Sequence, residues 1–379
     1  MKQAKNRVLH IITGLNNGGA EAVLHNLCSI DNTNLHTVIS LMDGGKYGPL
    51  LERAGVEVYH LNIPQGRITL GGLIKLWRLL RQCKPDVVQT WMYHADLIGG
   101  VLARVALVRN VCWGIHHGSL EFGNTRRSTI LIARICAWLS QWVPRRIICC
   151  ATKAAEIHQA LGYVPEKFVV IPNGYNLKQF WPDADARQCL RNKWGVAFGM
   201  PLLGMVGRFH PTKDYSNLII ALGTLKQGGL DFRCVLVGNG LDEDNIELMG
   251  WLKIHNVRDR VILLGSRSDI PAVMSALDVH ILSSLGEAFP NVLAEAMACG
   301  TPCISTDVGD AALIVGDTGW LVPPQNPNAL SCAIDTALTA WLQKPNWKER
   351  RFASRSRIME YFSIEKMIDS YKTVWMSSA

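Results

Sequence analysis

No apolar run in this 379-residue chain is long enough to cross a bilayer as a helix, which excludes a helical membrane span. Charged residues are few at 18%, yet apolar residues at 48% suffice to fill large sheets, so an intrinsically disordered chain is excluded as well. The 11 cysteines include no C-x-x-C pair and no regular spacing. Most lie in apolar runs, and they are expected to be buried, reduced thiols of a cytosolic protein instead of a metal site or a disulfide frame. No secretory signal is expected either, since MKQAKNRVLHIITG is a short polar leader followed by one strand-length apolar run. Repeats and low-complexity tracts are absent.

What remains is a length that suits two domains better than one core. The balance of 39 Lys and Arg against 31 Asp and Glu leaves a formal charge of +8, and 12 tryptophans add interfacial side chains. A modest basic excess fits anionic small molecules first, an acidic membrane surface second and nucleic acid last, and no nucleic-acid partner is expected. Short apolar runs alternate with amphipathic stretches, twice. Strands are expected at 8–12, 37–42, 56–61, 86–91, 111–115, 146–150 and 168–171, then at 202–206, 232–237, 261–264, 279–283 and 302–306. Helical patterns lie between them, so each series predicts a parallel sheet covered on both faces. The expected fold is α/β, two Rossmann-like doubly wound domains facing each other across a cleft at the carboxyl ends of their strands. Residues 1–174 form the first domain, a polar and irregular 175–198 the linker, and 199–355 the second. Residues 356–379 carry a last helix at 364–376, expected to return to the first domain.

The most informative stretch is LGEAFPNVLAEAMACGTPCISTDVG, residues 285–309. Glu287 lies in a turn closed by Phe289 and Pro290, and Glu295 follows one turn into a helix expected to begin near Pro290 and stop at Gly300. A helix start presents N–H groups and partial positive charge, so the expected ligand is anionic. Further upstream, VGRFHPTKD brings Arg208 and Lys213 to the end of a strand, one fork-shaped and one point-like cation suited to a diphosphate; a solvated basic loop is the plainer alternative. Gly238 in VGNG ends the next strand. In the first domain TGLNNGGAE places Gly18 and Gly19 between strand and helix, either as a close approach to phosphate or as an ordinary tight turn. His94 and the pair His116 and His117 end two further strands, as substrate contacts or as structural histidines. LIKLWRLL and ILIARICAWLSQW carry apolar faces flanked by Lys75, Arg78, Arg81, Arg126, Arg127, Arg134, Arg145 and Arg146. They read as helices packed on a sheet or as a surface that lies on an anionic membrane.

Taken together, VGRFHPTKD, VGNG, GTPCISTDVG, GWLVPP, IPNGYN and the two glutamates seven residues apart resemble the retaining glycosyltransferases of family 4, with the GT-B fold, of the bacterial surface-polysaccharide type. The resemblance covers nearly the whole chain. It implies transfer of a sugar from a UDP- or GDP-linked donor to a glycan or lipid-linked saccharide, at the cytoplasmic face of a bacterial membrane. It further implies that Glu287 faces hydroxyls of the transferred sugar and Glu295 the ribose. Arg208 and Lys213 hold the diphosphate, with Gly18, Gly19, Gly238 and the backbone around Phe289, Pro290 and Asn291 close to the nucleotide sugar. His116 or His117 approaches the sugar, and His94 stands on the acceptor side. No cofactor or metal is implied, and no D-x-D pair sits at a strand end. Alanine at 288 departs from the usual glycine. The other readings are an epimerase or hydrolase on the same fold, and a non-catalytic nucleotide-sugar binding protein.

Overall fold

A strand covered on both faces must be apolar along its length, and VVQTW, VCWGI and LLGMV are buried at every position. The computed structural model describes residues 5–16, 18–64, 66–116 and 127–377. In the first of two units, β1 (Arg7–Ile12), β2 (Leu35–Ser40), β3 (Glu57–His60), β4 (Val87–Trp91), β5 (Val111–Ile115), β6 (Arg146–Cys149) and β7 (Phe168–Val170) form a parallel sheet in the order β3-β2-β1-β4-β5-β6-β7. In the second, β8 (Leu202–Val206), β9 (Arg233–Val237), β10 (Val261–Leu263), β11 (Val279–Leu282), β12 (Cys303–Thr306) and β13 (Trp320–Val322) run in the order β10-β9-β8-β11-β12-β13. Winding reverses between β1 and β4 in one sheet and between β8 and β11 in the other. Loops diverge at such a switch point and leave a crevice at the strand ends.

The first unit ends at Gly174 and takes in the helix Ile364–Met376; the second is Tyr175–Ser363. That last helix places Ile364, Met367, Ile368, Tyr371, Val374 and Trp375 among Val8, Ile12, Leu24 and Trp91. The spacing is one helical face, and each fully buried side chain is worth about 1.5–3 kcal/mol. Trp375 Nε1 also donates to buried Gln89 Oε1 at 3.1 Å.

A polar chain crosses the same core. His10, Cys28 and His36 bring metal-ligand atoms within 4.8 Å of one another, but hydrogen bonds already claim the rings. An indole N–H can only donate, so Trp91 Nε1 donates to His10 Nδ1 at 3.2 Å. His10 is then the Nε2–H tautomer and donates to His36 Nδ1 at 2.9 Å, and His36 Nε2 donates to Asp31 at 3.1 Å. Burial raises the Asp31 carboxyl, but bonds from His36, Thr33 and Asn34 outweigh it and hold it well below the usual range.

Two boundaries need correction. Residues 175–198 are no irregular linker: the helix Ala184–Lys193, capped by Asp183 accepting from Ala186 N, packs on the helix Ile270–Ala276. Its inward face joins Leu190 to Arg187 and Arg191, which bond Asp278 and backbone carbonyls, so hydropathy hides most of it. The helix Lys344–Tyr361 runs through the expected limit at 355. Elsewhere the helix expected after β4 is broken by a π turn at Asp96–Gly100. The cysteines are free thiols, mostly buried, with Cys189 and Cys332 exposed. Among the described residues no helix is long and apolar enough to cross a membrane.

Candidate functional site

β8 and β11 are neighbours at the switch point of the second sheet, and the loops that leave them carry the expected charges. After β8 the chain turns through Gly207 and Arg208 into a 3-10 turn, Pro211–Lys213. Two contacts fix that path. Gly238, at φ +153°, lies so close to Gly207 that a Cβ would overlap the Gly207 carbonyl oxygen, and Tyr215 Oη donates to that same oxygen at 2.7 Å. Gly238 therefore shapes the loop that presents Arg208. Ser283 Oγ lies 2.9 Å from both Lys213 O and Asp214 O, and Leu285 N donates to Thr212 O at 2.8 Å. The two loops are thereby knitted together.

Lys213 Nζ stands 2.5 Å from Glu287 Oε1, and Ser284 Oγ donates to the same oxygen at 2.8 Å. Both members of the pair are 18% exposed. The sequence places Lys213 on phosphate and Glu287 on hydroxyls; the structure pairs the two with each other. Arg208 is exposed and has no ion-pair partner among the described residues. Gly309, at φ +55°, passes under the Glu287 turn where a Cβ would overlap the Glu287 and Ala288 carbonyls. Asp310 N donates to Ala288 O at 3.0 Å.

The helix that follows is Asn291–Ala298, with Pro290 as its cap residue instead of its first helical position and no side chain bonding its start. Pro290 has ψ +86°, outside the helical region, because the chain still turns there. Phe289 is buried against Phe362, ring centroids 5.8 Å apart, so only its backbone is offered to a ligand. Asn291 Oδ1 accepts from Tyr175 Oη at 2.6 Å. Glu295 keeps partial exposure, and its carboxyl has no hydrogen-bond or ion-pair partner among the described residues. Burial pushes its carboxyl up to about 7. Ser284, Thr306 and Gly309 escaped the sequence reading. Small residues at consecutive strand ends were the available signal, and Thr306 Oγ1 donates to Ser284 O at 2.7 Å.

In the first unit Gly18 and Gly19 stand where the helix Gly19–Ile30 begins, and a Cβ on Gly18 would overlap the Glu21 carboxylate. His94 is half-buried after β4, and burial lowers its imidazole below the ordinary value. His116 follows β5 and stacks on Trp91, 5.0 Å between centroids. His117 lies outside the described residues. Thus Arg208, Lys213, Gly238, Glu287, Phe289, Pro290, Asn291 and Glu295 belong to one unit, and Gly18, Gly19, His94 and His116 to the other.

Two family profiles match: Glycosyl transferases group 1 over residues 200–340 and Glycosyltransferase Family 4 over 17–179. A UDP-Gal:α-D-GlcNAc-diphosphoundecaprenol α-1,3-galactosyltransferase of Escherichia coli is 30% identical over 320 residues, covering 80% of this chain and 78% of the relative. The chain belongs to glycosyltransferase family 4. An N-acetylgalactosamine-N,N'-diacetylbacillosaminyl-diphospho-undecaprenol 4-α-N-acetylgalactosaminyltransferase of Campylobacter jejuni is 28% identical over 186 residues, covering 48% of this chain and 47% of the relative. Among solved structures, HepE of Anabaena in complex with UDP superposes with a TM-score of 0.85 at 22% identity, covering 98% of this chain and 100% of that one. The family 4 glycosyltransferase fold is thus GT-B, and the chain is an enzyme of the glycosyltransferase type.

Proposed function

We propose that this glycosyltransferase moves a hexose, with retention of anomeric configuration, from a UDP- or GDP-linked donor to a lipid-linked saccharide in bacterial surface-polysaccharide assembly. The observation that carries the reading is the Lys213–Glu287 pair beside Arg208, exposed and without an ion-pair partner among the described residues, at the switch point of the second sheet. A diphosphate entering there meets two cations. Lys213 turns from Glu287 to the phosphate, and Glu287 is released to accept from a sugar hydroxyl. The bond from the anomeric carbon to the phosphate oxygen breaks, the acceptor oxygen adds on the same face, and the departing phosphate takes the acceptor proton. Arg208 and Lys213 stabilise the charge that grows on the diphosphate; such electrostatic stabilisation is commonly the largest catalytic contribution. Glu295 accepts from the ribose. His94, His116 and His117 belong to the acceptor and sugar side. The phosphates are held by protein cations, so no metal is required. The relatives named for transfer to diphospho-undecaprenol acceptors support the acceptor class, and the UDP complex of HepE supports the donor class.

A screen of common nucleotide sugars with a lipid-linked saccharide acceptor tests this. One donor should be consumed only when acceptor is present, giving a product of unchanged anomeric configuration, at the same rate with EDTA as without. Arg208→Ala or Lys213→Ala should lower kcat about 10²–10³-fold. An inverted product removes retention, and nucleotide release without acceptor favours the hydrolase.

The acceptor end of the reading includes an anionic membrane surface. On the helix Arg127–Leu139 and just beyond it, Leu131, Ile135, Trp138 and Trp142 form an exposed stripe at spacing four, three and four; Trp138 is 63% and Trp142 57% exposed. Arg127 and Arg134 are exposed on the same helix. On the helix Leu70–Cys83, Leu70, Ile74 and Trp77 are exposed together with Lys75, Arg78 and Arg81. Tryptophan beside cations is the composition of an interfacial helix. Trp138→Ser with Trp142→Ser should at least halve the fraction that sediments with phosphatidylglycerol vesicles while leaving turnover of a water-soluble acceptor unchanged; equal sedimentation contradicts the surface.

A further inference from the structure

A cavity of about 840 Å³ opens at the amino-terminal end of the second sheet, where Asp278 leads into β11, whereas Glu287 follows the other end of that strand. Two helices wall it. Ala184–Lys193 contributes Arg187 and Arg191, one turn apart, and Lys344–Tyr361 contributes Lys344, Lys348 and Arg351, spaced to share one face. Of the lining residues only Asp183 and Asp278 carry negative charge, and both are engaged. Asp183 caps its helix. Asp278 is held by Arg187 at 2.6 Å, by Arg191 at 3.1 Å and by Leu202 N at 2.8 Å. Among the described residues Lys344, Lys348 and Arg351 have no carboxylate within 4.0 Å.

The three cations are placed against local preference. Lys344 opens an 18-residue helix and Lys348 stands one turn in, with no acidic residue in the first turn and no side-chain cap. A cation at that end is opposed by the helix dipole. Burial and the neighbouring Arg187 push the Arg351 guanidinium down to about 10, and burial lowers the Lys344 ammonium as well. Lys344 Nζ rests 3.1 Å over the Trp341 ring, and the Nε1–H of Trp347, also in the wall, has no hydrogen-bond partner among the described residues. Local rules broken together around one cavity mark a site more often than a defect, and the volume lies within the roughly 300–1,000 Å³ of small-ligand pockets.

The geometry points to a second anion site, in which Lys344, Lys348 and Arg351 bind a small molecule carrying a phosphate or diphosphate. It shares no residue with the proposed donor site and stands or falls separately from it. Calorimetric titration of the full chain with inorganic pyrophosphate should find two sites. Lys344→Glu with Lys348→Glu should abolish one and leave the other, with at least a tenfold loss of affinity at the lost site. Because acids suit a helix start, that variant should melt no lower than the parent, which separates lost binding from lost folding. Arg208→Ala with Lys213→Ala should remove the complementary site. If a single site survives the glutamate pair unchanged, the proposal is overturned. If a single site vanishes in the glutamate pair but persists in the Arg208 and Lys213 variant, the proposal stands and the donor reading fails.

Discussion

Glu295 carries the clearest residue-scale consequence. Its carboxyl, pushed up to about 7 by burial, is about half protonated near neutrality and largely protonated a pH unit below. A ribose that donates hydrogen bonds to it selects the carboxylate, so below pH 7 donor binding releases a proton. Affinity should therefore fall as pH drops below about 7, approaching tenfold per pH unit, and level off above it. Glu295→Gln should flatten the profile, which calorimetry in buffers of different ionisation heat reads directly. A wild-type affinity independent of pH between 5.5 and 8.5 contradicts the role. Nothing in the linear order shows that Lys213 and Glu287 pair across 74 positions. Their residue types were legible as site chemistry, but their mutual satisfaction belongs to the meeting of two loops.

At the scale of elements, glycine separates backbone need from accident. Gly238→Ala meets both a left-handed φ and the Gly207 carbonyl, each worth about 1–3 kcal/mol. Urea unfolding of the second unit should lose about 2–6 kcal/mol, with Arg208 displaced. Gly250, inside the helix Ile246–Ile254 with open space around it, is the control. Gly250→Ala should gain about 1 kcal/mol, and similar values for the two would contradict this account of the loop. The strands at 111–115 and 202–206 and the helix at 364–376 were legible to the residue, because apolar period and flanking punctuation agree there. The helix Ala184–Lys193 was not, since most of its buried side is arginine bonded to carbonyls. Nor was β13, whose first two residues are not fully buried and which two prolines follow directly. Pro290 as cap instead of first helical residue turned on one dihedral angle.

At the scale of the molecule, the first unit is assembled from two separated stretches of chain. Ending the chain after Ser363 removes six buried side chains from its core, Trp91 loses its stacking partner Tyr371, and Gln89 loses Trp375. Calorimetry should then show the second unit's transition retained and the first unit's lost, with dye-binding apolar surface exposed; an unchanged two-unit profile contradicts the assignment of that helix. The same feature bears on synthesis. The seven strands of the first sheet leave the ribosome before any of the second unit, yet their covering helix is translated only after it. At 5–20 residues per second the sheet waits on the order of 10–40 s for completion. During that interval the nascent first half presents an uncovered apolar face to chaperones, whereas the inserted second unit has all its strands and helices as it emerges. The order of maturation is therefore the reverse of the order of translation.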